Sequence, residues 1–260
     1  MIVALGIEYL GTCYSGWQRQ NHSPSVQANV ELALSKVADE NISVFCAGRT
    51  DSGVHAIQQV IHFETEADRP DKAWVLGGNA HLPDDIAISW AQVMPNEFHA
   101  RFSAVARRYQ FVILNRRIRP AIYSGQVCWV KEPLDETSMN LAAQSLLGER
   151  DFSSFQAASC QSPTPFRNVS EVRVSRNNQF VIIDITANAF LHHMVRNIAG
   201  SLIAVGRGNY PVNWIQQLME VRDRTKAAPT AHPDGLYFKQ AIYPEKWNIP
   251  QSASSLAFFD

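Results

Sequence analysis

The chain has 260 residues, enough for one large or two modest domains with a real core. Its 23 Lys and Arg nearly balance 24 Asp and Glu, so net charge does not announce a nucleic-acid binder, and the four cysteines show no Cys-x-x-Cys spacing that would suggest a zinc ribbon or a disulfide framework. The N-terminus lacks the basic n-region of a signal peptide and no apolar run approaches the ~20 residues needed to cross a bilayer, so a reduced, cytoplasmic protein is expected, with no membrane partner.

Val3, Leu5, Ile7 and Tyr9 alternate, predicting a first strand that runs into a loop over residues 11–20 with two Gly, two aromatics, two Gln and an Arg. Such a loop is either a packed turn or a surface for stacking on single-stranded bases. Ser23 as N-cap and Pro24 in the first turn open a helix to about Ala38, with Val26, Val30, Ala33, Leu34 and Val37 as its apolar face. Ile42, Val44 and Cys46 alternate before a polar loop, and Ile61, Phe63 and Thr65 alternate after it. Gly48 and Gly53 flank Arg49, Thr50 and Asp51, so the backbone there can turn tightly and approach a ligand. A surface turn in which Asp51 caps local amides accounts for the same residues. A helix over 70–79 and a strand over 86–93 complete a strand, helix, strand, strand, helix, strand order, the pattern of a ferredoxin-like unit.

A second unit follows. Strand alternation over 107–114 puts Arg107, Tyr109, Phe111 and Ile113 on one face. A short strand within 125–130, a helix over 135–147 ended by Gly148, a long polar loop over 152–168, and strands over 169–175 and 180–187 joined at Asn177-Asn178 come next. A helix is predicted from Ala189 to about Gly206, with His192, Arg196 and Arg207 gathered opposite its apolar side. On that helix the neighbours His192 and His193 would point about 100° apart, so they do not read as a metal pair, and no metal is expected. A short helix near 214–220, a basic loop and a tail from about Gln251 close the chain. The expected architecture is α+β: two ferredoxin-like (RRM-like) halves, 1–100 and 101–250, forming a continuous, mainly antiparallel sheet with helices on one side and a central active-site cleft, plus the tail 251–260.

The string Gly48-Arg-Thr-Asp-Ser-Gly-Val-His-Ala56 resembles the signature of the tRNA pseudouridine synthase A family around its catalytic aspartate, with Ser52 for Ala as the one departure. The resemblance continues through Gly11 to Gln20, Arg107-Arg-Tyr-Gln-Phe111, Phe190 to Ile198 and Ala228 to Phe238. Leu10 stands where the family usually has Asp, whose contribution is then missing or supplied elsewhere, for instance by Glu8. His232 stands where Pro is more usual.

The resemblance implies isomerisation of uridine to pseudouridine in the anticodon stem-loop of tRNAs, at the positions conventionally numbered 38 to 40, by a homodimer. It implies Asp51 as the catalytic carboxylate, Arg196 as its cationic partner, Tyr109 as the group that stacks on the uracil and takes the C5 proton, and Leu236 as an apolar contact to the target base. Arg49, Gln18, Arg107 and His192 are expected to bind substrate, Arg49 through phosphate. The reaction moves no electron and gains no atom, so no cofactor is expected. The rival reading from another class is a non-catalytic RNA-binding module, because paired ferredoxin-like units with exposed aromatics and arginines can bind single strands unaided. A hydrolase built on Asp51 would need a second carboxylate at the bond, and none accompanies it in the loop.

Overall fold

The computed structural model describes residues 1–250. The chain packs as two compact units, one of Met1–Arg107 with the segment returning from Phe238, the other of Arg108–Tyr237.

In the first unit, strand β1 (Ile2–Tyr9) is followed by helix α1 (Val26–Ala38), strands β2 (Phe45–Cys46) and β3 (His55–Glu64), helix α2 (Asp71–Asn79) and strand β4 (Ile86–Met94). β1 lies between β4 and β3, and β2 pairs on β3, all antiparallel, which is the ferredoxin-like order expected. β1 has no fully exposed position, as a central strand covered on both faces requires. Helix α2 packs close to α1 and to β4 because it carries Gly77 and Gly78. A Cβ at Gly78 would stand 2.3 Å from the Ile88 side chain, and one at Gly77 would press on Val37.

Two boundaries differ from expectation. Helix α1 is capped by Ser25, not Ser23: the Pro24 carbonyl accepts from Ser15 N outside the helix, Ser25 is still extended, and Ser25 Oγ accepts from Ala28 N. β3 begins at His55 instead of near Ile61, since the polar residues His55, Gln58 and Gln59 are buried strand residues whose side chains find hydrogen bonds.

The second unit takes strand β5 (Ala106–Asn115) from Arg108 on, then strand β6 (Cys128–Val130), helix α3 (Glu136–Ala143) and strands β7 (Gly148–Asp151), β8 (Phe166–Asn177) and β9 (Phe180–Ala187). Helices α4 (Met194–Gly206) and α5 (Trp214–Val221) follow. The strand order is β5-β9-β8-β7, with β6 parallel to β5. The β8–β9 hairpin turns at Asn178, whose φ is +52°, where the Asn pair was expected to turn. The long polar loop is shorter than predicted: Phe152 and Phe155 are buried, β8 starts at Phe166, and β7, absent from the sequence reading, pairs with it.

Helix α4 starts at Met194, so the expectation of a helix from Ala189 is corrected. His193 takes a left-handed φ of +61°, and His192 and His193 form a turn whose rings lie 4.0 Å apart between centroids. The argument that helical neighbours diverge therefore does not apply to them. A last strand, β10 (Leu236–Ile242), also unpredicted, pairs with β3 in the first unit. The expected tail lies outside the described residues. All four cysteines are free thiols, and no helix among the described residues is long and apolar enough to cross a membrane.

Candidate active site

The Asp51 loop is held by three neighbours in the first unit. From one side, the loop after β1 locks onto it: Trp17 N donates to Thr50 O (3.0 Å), Gly53 N donates to Tyr14 O (3.3 Å), and Gly11 N donates to His55 Nδ1 (2.9 Å). The approach is too close for side chains. A Cβ on Gly16, which already has φ +98°, would stand 2.6 Å from Thr50 O, and one on Gly11 would stand 1.9 Å from Val54 O. Thr50 itself is buried, its hydroxyl 2.7 Å from Tyr9 OH. Burial drives the Tyr9 phenol far above its usual range, keeping that pair neutral.

From within the sheet, Gln59 accepts from Gly48 N at 3.2 Å and donates to Gly48 O at 2.5 Å. Phe238 of β10 packs beneath Gly48, where a Cβ would meet its ring at 2.9 Å. From the third side, Arg107 donates to Ala47 O through Nε (3.3 Å) and Nη2 (3.1 Å), and to the carbonyls of Ala104 and Arg101. These bonds make Arg107 a brace of the loop, a use that strand alternation did not reveal. Asp51 is left half-buried at the tip, its carbonyl closing a turn with Val54 N.

Arg49 is exposed, and among the described residues no hydrogen bond or ion pair holds its guanidinium. Gln18 is exposed, its amide donating to Gln27, which in turn donates to Glu31. Leu10 is 41% exposed, and the carboxylate tied into its loop is that of Asp85, which accepts from Tyr14 OH at 2.6 Å.

In the second unit, Tyr109 is buried on β5 and meets Phe190 edge to face, 4.9 Å between centroids. Arg196 is half-buried in the first turn of α4. Its Nε donates to Ala231 O (2.9 Å) while its own carbonyl accepts from Ala231 N (3.1 Å), so the guanidinium is aimed by a strap. The strap is anchored by the neighbouring residue: Asn197, fully buried, accepts from Thr230 Oγ1 (2.7 Å) and Arg224 Nη2 (3.0 Å) and donates to Phe155 O (2.7 Å). His192 Nδ1 lies 3.0 Å from Ser159 Oγ, and its backbone carbonyl accepts from Ala157 N. Leu236 opens β10 and is 5% exposed; His232, just before it, pairs with Asp234 at 2.8 Å.

Gln59, Asn197 and the strap were not singled out by the sequence. A polar residue at a strand or helix position of apolar neighbours was the available signal for both.

Comparison with known proteins gives a consistent result. The chain matches the family described as tRNA pseudouridine synthase over residues 6–103 and 142–244. It is 58% identical to the tRNA pseudouridine synthase A of Haemophilus influenzae, over 96% of this chain and 93% of that one. It is 56% identical to the namesake enzyme of Hydrogenovibrio crunogenus, over 96% and 95%. Identity to that of Glaesserella parasuis is also 56%, over 100% and 99%.

Proposed function

The chain belongs to the tRNA pseudouridine synthase family, and on that premise we propose that it is an isomerase that converts uridine to pseudouridine in the anticodon stem-loop of tRNAs, at the three positions named above, with Asp51 as its catalytic carboxylate. The observation that most supports this reading is the rigid seating of the Asp51 loop: three separate sets of backbone-directed bonds hold Ala47, Gly48, and Thr50 with Gly53, around one half-buried acid. Preorganisation of this kind is what positional catalysis requires.

The target base leaves the stack at a cost of a few kcal/mol. The N1–C1′ bond then breaks, the uracil turns, C5 joins C1′, the C5 proton departs and N1 takes one up. Asp51 supplies the anionic carboxylate against ribose or uracil. Tyr109 stacks on the uracil and takes the C5 proton, and Arg196 supplies the cation of the site. Leu236 and His192 contact the substrate, Arg49 steadies the flipped nucleotide through phosphate, and Gln18 lies on the RNA-facing loop. Arg107 acts through the loop it braces. The protein works as a cytoplasmic homodimer on tRNA, recognising shape and backbone more than base sequence.

The test is tritium release from tRNA labelled at uracil C5, with tRNA binding followed in parallel. Release by the native chain, and none from an Asp51→Asn variant that still binds, is the expected result. Tight binding with no release from any tRNA would replace the isomerase with a binding module.

A further inference from the structure

Beside the Asp51 loop, the first unit carries a set of rings that the proposed reaction does not use. Phe45 stacks on His62 (5.2 Å between centroids, 25°), His62 meets His99 (4.5 Å), and His99 lies against Phe102 (4.3 Å, 36°). The inner members are fixed and the outer ones are open. His62 is 4% exposed, whereas Phe45 is 55% and Phe102 75% exposed. The rings are held in place by backbone: His62 Nδ1 accepts from Ala100 N (3.2 Å), and His99 Nδ1 accepts from the amides of Arg101 (3.1 Å) and Phe102 (3.3 Å). Tyr243 OH and Arg107 Nη2 clamp the carbonyls of Ala100 and Arg101.

A rigid aromatic surface facing water is a docking device, and its charge says for what. The Arg101 guanidinium lies 5.5 Å from the Phe102 ring centre, and among the described residues no carboxylate pairs with it. Arg101 is itself exposed and lies over the ring, so the rings carry a cation at their open side. Exposed rings with an arginine beside them suit a nucleobase and its phosphate.

We propose that Phe102 and Phe45, backed by His99 and His62, form a stacking platform for an unpaired base of the RNA substrate other than the one isomerised, with Arg101 on its phosphate. The platform rests on the proposed RNA substrate but not on the chemistry at Asp51.

The experiment follows binding of a fluorescein-labelled anticodon stem-loop hairpin by anisotropy, together with tritium release. Phe102→Ala, whose side chain is mostly exposed and so leaves the fold intact, should weaken hairpin binding about tenfold, the scale of one lost base stack. Phe102→Trp should restore it, and the loss in turnover should fall on KM more than on kcat. An abasic scan of the loop should find one position at which the native chain and Phe102→Ala bind equally. Native affinity in Phe102→Ala with every hairpin overturns the platform, as does failure of the native chain to bind the hairpin. A drop in oligomeric state of Phe102→Ala by light scattering, with hairpin affinity unchanged per subunit, overturns it in favour of a self-association surface. Absence of tritium release from a native chain that binds the hairpin removes the isomerase alone, and the platform is then judged on the anisotropy.

Discussion

Gln59 holds both ends of the Gly48 residue, accepting from its N–H and donating to its carbonyl, and so fixes the entry to the Asp51 loop from the strand that follows it. The arrangement is that of one more rung of sheet made by a side chain. Replacing it tests whether the loop must be rigid. Gln59→Leu keeps the volume and leaves two backbone groups unpaired, at about 1–3 kcal/mol. Tritium release should show kcat down by about tenfold or more with a smaller change in KM, because misplacement acts on the reacting geometry. A folded Gln59→Leu with native kcat would show that the brace is dispensable.

Gly16 offers a second test of the same loop. It combines φ +98° with a backbone carbonyl, Thr50 O, 2.6 Å from any added Cβ. Gly208 has φ +75° but open space around it. Gly208→Ala should therefore cost only the left-handed conformation, about 1–2 kcal/mol. Gly16→Ala should cost more than that and should also lower activity, since Thr50 precedes Asp51. Denaturant melts of the two variants, side by side, separate conformational strain from collision.

Much of this was legible in the sequence. Period-two runs such as Val3 to Tyr9 and helices such as Asp71–Asn79 announce themselves because each buries one face or both in a regular way. The loop glycines marked a tight turn around Asp51 for the same local reason, while the role proposed for Asp51 came from the resemblance of the whole string. What was hidden depended on partners far along the chain. His55 to Gln59 read as loop because they are polar, yet they are strand, since Gly11, Gly48 and Pro250 supply their hydrogen bonds. β10 was missed because Gly-Leu-Tyr-Phe follows a Pro-rich stretch and acquires its pairing from strands far along the chain, β3 among them. The start of α4 was placed too early because Phe190 and Leu191 fit the helical period, and nothing local signals a histidine at positive φ.

The histidine pair beneath the rings sets an acid limit on stability. Burial, and then His99 beside it, pushes His62 down to about 4 from an ordinary 6.5. The folded state resists protonation that the unfolded state accepts, so between those two values the unfolded chain binds more protons and stability falls as pH falls. His62 Nδ1 must stay unprotonated to accept from Ala100 N. The melting temperature should drop from pH 6.5 towards pH 4, with His62 contributing on the order of 1–2 kcal/mol after allowance for solvent screening. His62→Gln, which can accept the same bond without titrating, should flatten that part of the profile. An unchanged slope would assign the acid sensitivity to other groups.

Asn197 makes the strongest case for a residue that acts through its neighbour. It is fully buried, its Oδ1 accepts from Thr230 and Arg224, and its Nδ2 donates to Phe155 O, so one amide ties the strap of Ala231 to the core. Ala231 O is in turn the acceptor for Arg196 Nε. Asn197→Leu preserves the volume but strands three polar partners, at a cost of about 3 kcal/mol or more. Asn197→Asp keeps both acceptor bonds and gains an ion pair with Arg224, but sets a carboxylate oxygen against Phe155 O where the amide donated; with two of the three bonds kept, it should still be the milder change. Tritium release measured well below the melting point of each variant isolates the effect on Arg196 from the effect on folding. Loss of kcat should follow the loss of the strap bonds, greater for Leu than for Asp. If both variants turn over at the native rate while folded, Arg196 is aimed without the strap, and Asn197 is a core residue alone.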